Sequence, residues 1–141
     1  MFSRRSLLAS AFLILVPAAS WAGEKVAIKG YDPVAYFTEG RPVKGSSAHQ
    51  ARFDEATYHF KNAENHALFV ADPAKYAPQY EGFCTIMVSK GTKYEPDPEA
   101  WIIADDRLYL FGAKGAVESF KQNKGEILAQ AERNWSTART R

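Results

Sequence analysis

Cys84 and Met87 are the side chains of this sequence best suited to chemistry. Cys84 is the sole cysteine, and Met87 is the sole methionine besides the initiator. They lie three residues apart, and on a helix that spacing puts a thiol and a thioether on one face. Soft sulfur ligands select Cu(I) over harder ions. The three histidines, His49, His59 and His66, are scattered, but neutral imidazole suits copper and zinc and completes such sites. His59 lies between Tyr58 and Phe60, so on a strand it faces away from both. The expected metal site is Cys84, Met87 and His59, with copper as the first candidate ion. A plainer reading stands beside it. Free cysteine is among the most buried residue types, and Met87 falls between Ile86 and Val88 in an apolar run that reads as core.

No catalytic residue is expected. No nucleophile signature surrounds Cys84. Gly112-Ala113-Lys114-Gly115 is too short and wrongly spaced for a phosphate loop. Asp105-Asp106 and the Glu95/Asp97 pair occupy turns, where Asp serves the backbone. Tyr31, Tyr36, Tyr76 and Tyr80 beside Trp101 either line an aromatic pocket for a small ligand or fill a small core, as aromatics commonly do.

These residues need a scaffold. Gly23 to Gly45 reads as loop-like, with turns at Tyr31-Asp32-Pro33 and Arg41-Pro42 and with Tyr36 and Phe37 plugging into the core. Ala48–Phe53 and Thr57–Phe60 read as strands joined at Asp54-Glu55. Asn62 caps a helix over Ala63–Ala71 with Ala63, Ala67 and Val70 spaced along one side. Asp72-Pro73 restarts a helix. Tyr80–Ser89 reads as a short helix closed by Gly91. Asp97-Pro98-Glu99 is a cap-like turn. A second hairpin joins Trp101–Ala104 to Leu108–Phe111, apolar on both faces and so central. Two helices end the sequence, with stripes Ala113/Val117/Phe120 and Leu128/Ala131/Trp135 and a break at Lys124-Gly125. No internal repeat is apparent. The expected class is a small α+β domain with one antiparallel sheet and segregated helices.

The N-terminus carries Arg4 and Arg5, an apolar run Leu7–Val16 too short to span a bilayer, and small residues at Ser20 and Ala22. This is a signal-peptide pattern over residues 1–22, and Ser3-Arg4-Arg5-Ser6-Leu7-Leu8 also resembles a twin-arginine signal. The expected location is the periplasm, with no membrane span after cleavage, and residues 23–141 form the domain. The signal holds two of the 18 basic residues and none of the 16 acidic ones. The mature chain is therefore neutral, without the basic surplus of a nucleic-acid binder. One cysteine forms no internal disulfide, and a lone thiol in an oxidising compartment is unusual.

Several separated segments resemble exported proteins of the YHS-domain family: Gly30-Tyr31-Asp32-Pro33-Val34-Ala35-Tyr36-Phe37, Asp72-Pro73-Ala74-Lys75-Tyr76-Ala77-Pro78-Gln79-Tyr80 and Gly82-Phe83-Cys84. The run Asp97–Trp101 through Leu108-Tyr109-Leu110 to Asn134-Trp135 fits the same pattern. The resemblance implies a small domain related to metal-binding modules of heavy-metal pumps and sensors. In those modules it places cysteines at positions held here by Ala35, Lys61 and Asn65, while Phe60, Phe69, Asp72, Pro73 and Tyr76 keep the frame. Cys84 matches a cysteine usual in the exported branch. The expected function is a non-catalytic periplasmic protein handling a soft metal ion such as copper. The alternative is a metal-free domain that recognises a small molecule or another exported protein.

Overall fold

Short local signals set most of the elements. The computed structural model describes residues 25–141, so the signal peptide expected over 1–22 lies outside the described residues. A 3-10 turn, Ala27–Gly30, leads into helix α1, Pro33–Thr38. The Asp32 side chain caps α1, and Pro33 occupies its first turn, where a missing N–H costs nothing. The segment read as a loop therefore contains a helix, and it buries Val34, Ala35 and Tyr36. Strands β1, Ser46–Phe53, and β2, Ala56–Phe60, pair antiparallel. Asp54 and Glu55 both take positive φ, which gives the two-residue turn that matches strand twist.

Helix α2, Ala63–Ala71, is capped by Asn62. Its buried residues are Asn65 and Phe69, whereas Val70 is 57% exposed and Ala63 and Ala67 face solvent. The side carrying Ala63, Ala67 and Val70 is the exposed one, because alanines gain little from burial. One phenylalanine is worth about 2 kcal/mol, and that decides the rotation. Asp72 then caps α3, Pro73–Tyr76. A second 3-10 turn, Gln79–Gly82, precedes α4, Thr85–Ser89. The single helix expected over Tyr80–Ser89 is thus split, because Tyr80, Glu81 and Gly82 all adopt positive φ. Asp97-Pro98-Glu99 opens β3, Asp97–Ala104, which pairs with β4, Arg107–Phe111. Helix α5 runs from Gly115 to Arg139 without a full break, bending at Asn123 (φ −130°, ψ 28°). Its inner face carries Val117, Phe120, Leu128, Ala131 and Trp135, while Ala113 lies before it and exposed.

The molecule is an α+β domain, with two separate two-stranded antiparallel sheets in place of the single sheet expected. Strand β4 brings the two hairpins together through side chains. Leu108 and Leu110 enter one apolar cluster with Tyr36, Tyr58, Phe60 and Phe69. Tyr109 and Phe111 enter the other with Phe83, Val88 and Phe120.

The element order repeats: 3-10 turn, short helix, hairpin, helix, then the same again. The strands of the two hairpins have equal lengths, and both are irregular at the same place, between Ser46 and Gln50 and between Asp97 and Trp101. Hairpin positions correspond at a spacing of 51 residues, as from Ser46 to Asp97, and the 3-10 turns and short helices at 52, as from Gly30 to Gly82. Phe69 lies 4.9 Å from Phe60 and 5.1 Å from Tyr58 by ring centroid. Its counterpart Phe120 lies 5.2 Å from Phe111 and 5.1 Å from Tyr109. The internal repeat that sequence inspection does not find is therefore present in the fold.

Candidate metal and ligand sites

Asp32 and Cys84 are counterparts in the two halves, each standing just before a short helix. Asp32 is fully buried. Its carboxylate accepts from Val34 N (2.8 Å), Ala35 N (3.4 Å), Lys61 N (2.9 Å) and Asn65 Nδ2 (2.8 Å). Ala35, Lys61 and Asn65 thus converge on one carboxylate.

In the second half the same place is hollow. Cys84 makes no capping hydrogen bond. The counterparts of Ala35, Lys61 and Asn65 are Met87, Gly112 and Ala116, and all three line a pocket of about 240 Å3 with Cys84, Ile86, Tyr94 and Ala113. Two small residues thus open the space that Lys61 and Asn65 help to close in the first half. Cys84 is only 3% exposed. It is pinned by Cys84 N donating to Tyr94 O at 2.9 Å, by a bridge to Leu110, and by Thr85 Oγ1 donating to Leu110 O at 3.2 Å. The Tyr94 ring is 56% exposed and covers Gly112, where an added Cβ would come within 2.8 Å of it.

Cys84 and Met87 are therefore brought together on one pocket wall. His59 is not among the residues lining it. It lies in the first hairpin, its backbone under Gly45 and its Nδ1 beside Gly30, and burial holds its imidazole below the ordinary value. His66 packs edge-on against Phe60 at 5.5 Å, and His49 is a half-buried residue of β1. Among the described residues, no three His, Cys, Asp or Glu side chains gather as a metal cluster.

A larger cleft, about 370 Å3, opens at the seam of the halves. Its walls include Tyr58, Tyr80 and Trp135, with Asp54, Glu81, Glu132 and Arg107 as the charged groups. Tyr80 packs edge-on against Trp135 at 5.6 Å and donates to Glu132 Oε1 at 3.3 Å. Burial, reinforced by Glu132, raises the Tyr80 hydroxyl well above its ordinary value. Glu81 belongs to the left-handed turn and is 9% exposed. Burial raises its carboxyl, with Arg139 and Lys25 pulling the other way. Lys25 Nζ donates to Glu81 O at 2.8 Å and lies 3.2 Å from the Phe83 ring centroid. Burial brings that ammonium down to about 8.

Of the aromatics read as either pocket lining or core, Tyr80 lines the cleft. Tyr36 is core, stacked edge-on with Trp101 at 5.0 Å and donating to Pro98 O at 2.8 Å. Tyr76 packs against Phe37. Glu81, Tyr58 and Trp135 carry no sequence signal for a cleft, because distant segments supply its walls. Among the described residues no helix is long and apolar enough to cross a membrane. No protein-family model, curated protein or solved structure matches the chain.

Proposed function

We propose that the chain is a non-catalytic exported protein that takes up a soft metal ion, Cu(I) before others, at Cys84 and Met87. One observation carries this reading: Met87, Gly112 and Ala116, which surround Cys84, stand at the repeat counterparts of Ala35, Lys61 and Asn65. Those are the positions where YHS relatives are expected to carry their thiolates. The second half replaces a saturated polar network with a thiol, a thioether and apolar walls. Thiolate and thioether together favour Cu(I), and an apolar shell limits competition from water and hard ions. Two protein sulfurs leave coordination positions free, which suits a protein that receives and passes on an ion. The ion here is cargo, and the signal-peptide pattern of residues 1–22 supports the periplasm as the compartment of exchange.

Titration of the reduced protein with Cu(I) against a competing chelator tests this. Stoichiometric binding that disappears in Cys84→Ala and weakens in Met87→Leu is the expected result. Binding no tighter than that of Cys84→Ala overturns the reading.

A further inference from the structure

Gly112 follows β4 and does not take positive φ, so its backbone has no need of a glycine. Space explains the residue instead. An added Cβ would lie 2.8 and 2.9 Å from Cε1 and Cδ1 of the Tyr94 ring and 3.9 Å from Cys84 Sγ. Glycine in a strand marks a close approach, and here the approaching group is an aromatic ring beside the sole thiol.

The fold gives little reason for that ring. It is 56% exposed. Among the described residues its side chain makes no hydrogen bond and stacks on no other ring. The loop does not require it either. Tyr94 O accepts from Cys84 N at 2.9 Å, and in the first half Val43 O accepts from Asp32 N at 2.8 Å in the same way. A valine therefore serves this backbone contact equally well. The difference lies in what is covered: Asp32 is saturated with hydrogen bonds, whereas Cys84 borders a pocket that Tyr94 also lines.

We propose that Tyr94 determines access to the Cys84 pocket, its ring on Gly112 forming a lid that swings out to let a ligand enter or leave. The metal as that ligand rests on the reading of the pocket given above; the lid itself does not. Thr92 N donates to Met87 O at 3.1 Å, and Cys84 N donates to Tyr94 O, so the backbone is held on both sides of the ring's attachment. The movement is thus a side-chain rotation, which is fast in an exposed residue. Such a gate scales entry and exit alike by its open fraction and leaves affinity nearly unchanged.

With one cysteine in the chain, the lid is read from the rate at which the reduced protein reacts with 4,4′-dithiodipyridine. The Cys84 thiolate attacks the disulfide, and pyridine-4-thione leaves. Tyr94→Val and Tyr94→Ala are expected to react about tenfold faster or more, as for a parent lid open about a tenth of the time. Tyr94→Phe, which keeps the ring, reacts as the parent does. These rates stay level in urea below the unfolding transition, because the thiol is reached in the folded state. In parallel, transfer of Cu(I) from the protein to a chelator quickens by the same factor in Tyr94→Val, while equilibrium affinity moves by less than about threefold. Equal thiol rates in the parent and Tyr94→Ala, a Tyr94→Phe protein as fast as Tyr94→Ala, or an acceleration that climbs with urea as unfolding does each overturn the lid. A parent that binds no Cu(I) overturns the metal reading alone, since the thiol rates still decide the lid.

Discussion

Asp32 and Cys84 occupy the same place in the two halves, yet their truncation has very different consequences. In Asp32→Ala the N-terminal cap of α1 is lost, which costs about 1 kcal/mol. Lys61 N and Asn65 Nδ2, at 2.9 and 2.8 Å from the carboxylate, lose their acceptor. Asn65 is itself only 6% exposed, and each donor left unmet costs about 1–3 kcal/mol. The expected total is about 3–7 kcal/mol, against about 5–15 kcal/mol for a whole domain. In Cys84→Ala the sulfur makes no capping hydrogen bond and borders a pocket, so the loss is one apolar atom's burial, about 1 kcal/mol. Urea unfolding followed by far-ultraviolet circular dichroism measures both, with m unchanged as the sign that the folded state keeps its extent. The reasoning fails if Asp32→Ala costs less than about 1.5 kcal/mol, or if Cys84→Ala costs as much as Asp32→Ala.

Two further outcomes follow from burial and backbone. Burial holds the hydroxyls of Tyr36, Tyr58, Tyr80 and Tyr109 above their ordinary value. The unfolded chain therefore loses these protons first, and stability falls as pH rises through about 10. Lys25, lowered to about 8, acts oppositely: the folded state releases its proton first, which adds stability between pH 8 and about 10. Denaturant melts across this range with tyrosinate absorbance show four late-titrating tyrosines and loss of fold together. Titration of every tyrosine near pH 10 in an intact fold counts against this. At Gly125, inside α5, an added Cβ meets nothing within 4 Å, so Gly125→Ala raises stability by about 0.5–1 kcal/mol. A lowered melting temperature would show that the bend at Asn123 depends on that glycine.

The sequence makes legible what is local. Asn62 and Asp72 cap helices, and Asp54-Glu55 and Asp105-Asp106 turn hairpins, because each effect acts within three residues. Asp32-Pro33 carries the same signal as Asp72-Pro73, yet neighbouring glycines make it look like a loop. The burial of Asn65 rests on a bond to Asp32, 33 residues away, which no periodicity reveals. The repeat leaves few identities: Gly30/Gly82, Asp54/Asp105, Tyr58/Tyr109, Phe60/Phe111 and Phe69/Phe120. Its spacing also slips by one between turn and hairpin. Cys84 and Met87 are legible as a soft pair, but their pocket is made by the smallness of Gly112 and Ala116. Glu81 gives no hint, since a charged residue in a turn usually faces water.

Strand β4 gives alternate residues to different cores, Leu108 and Leu110 to one and Tyr109 and Phe111 to the other. The second half therefore holds part of the first half's interior. The first half cannot open without stripping Leu108 and Leu110 of their partners, nor the second without freeing Tyr109 and Phe111. A slip of β4 by one residue would exchange the two sets and ruin both cores at once. Two repeats that might have unfolded separately are thereby bound into one cooperative unit. Its last amides to exchange with solvent are those of β4, which open only when the whole domain does.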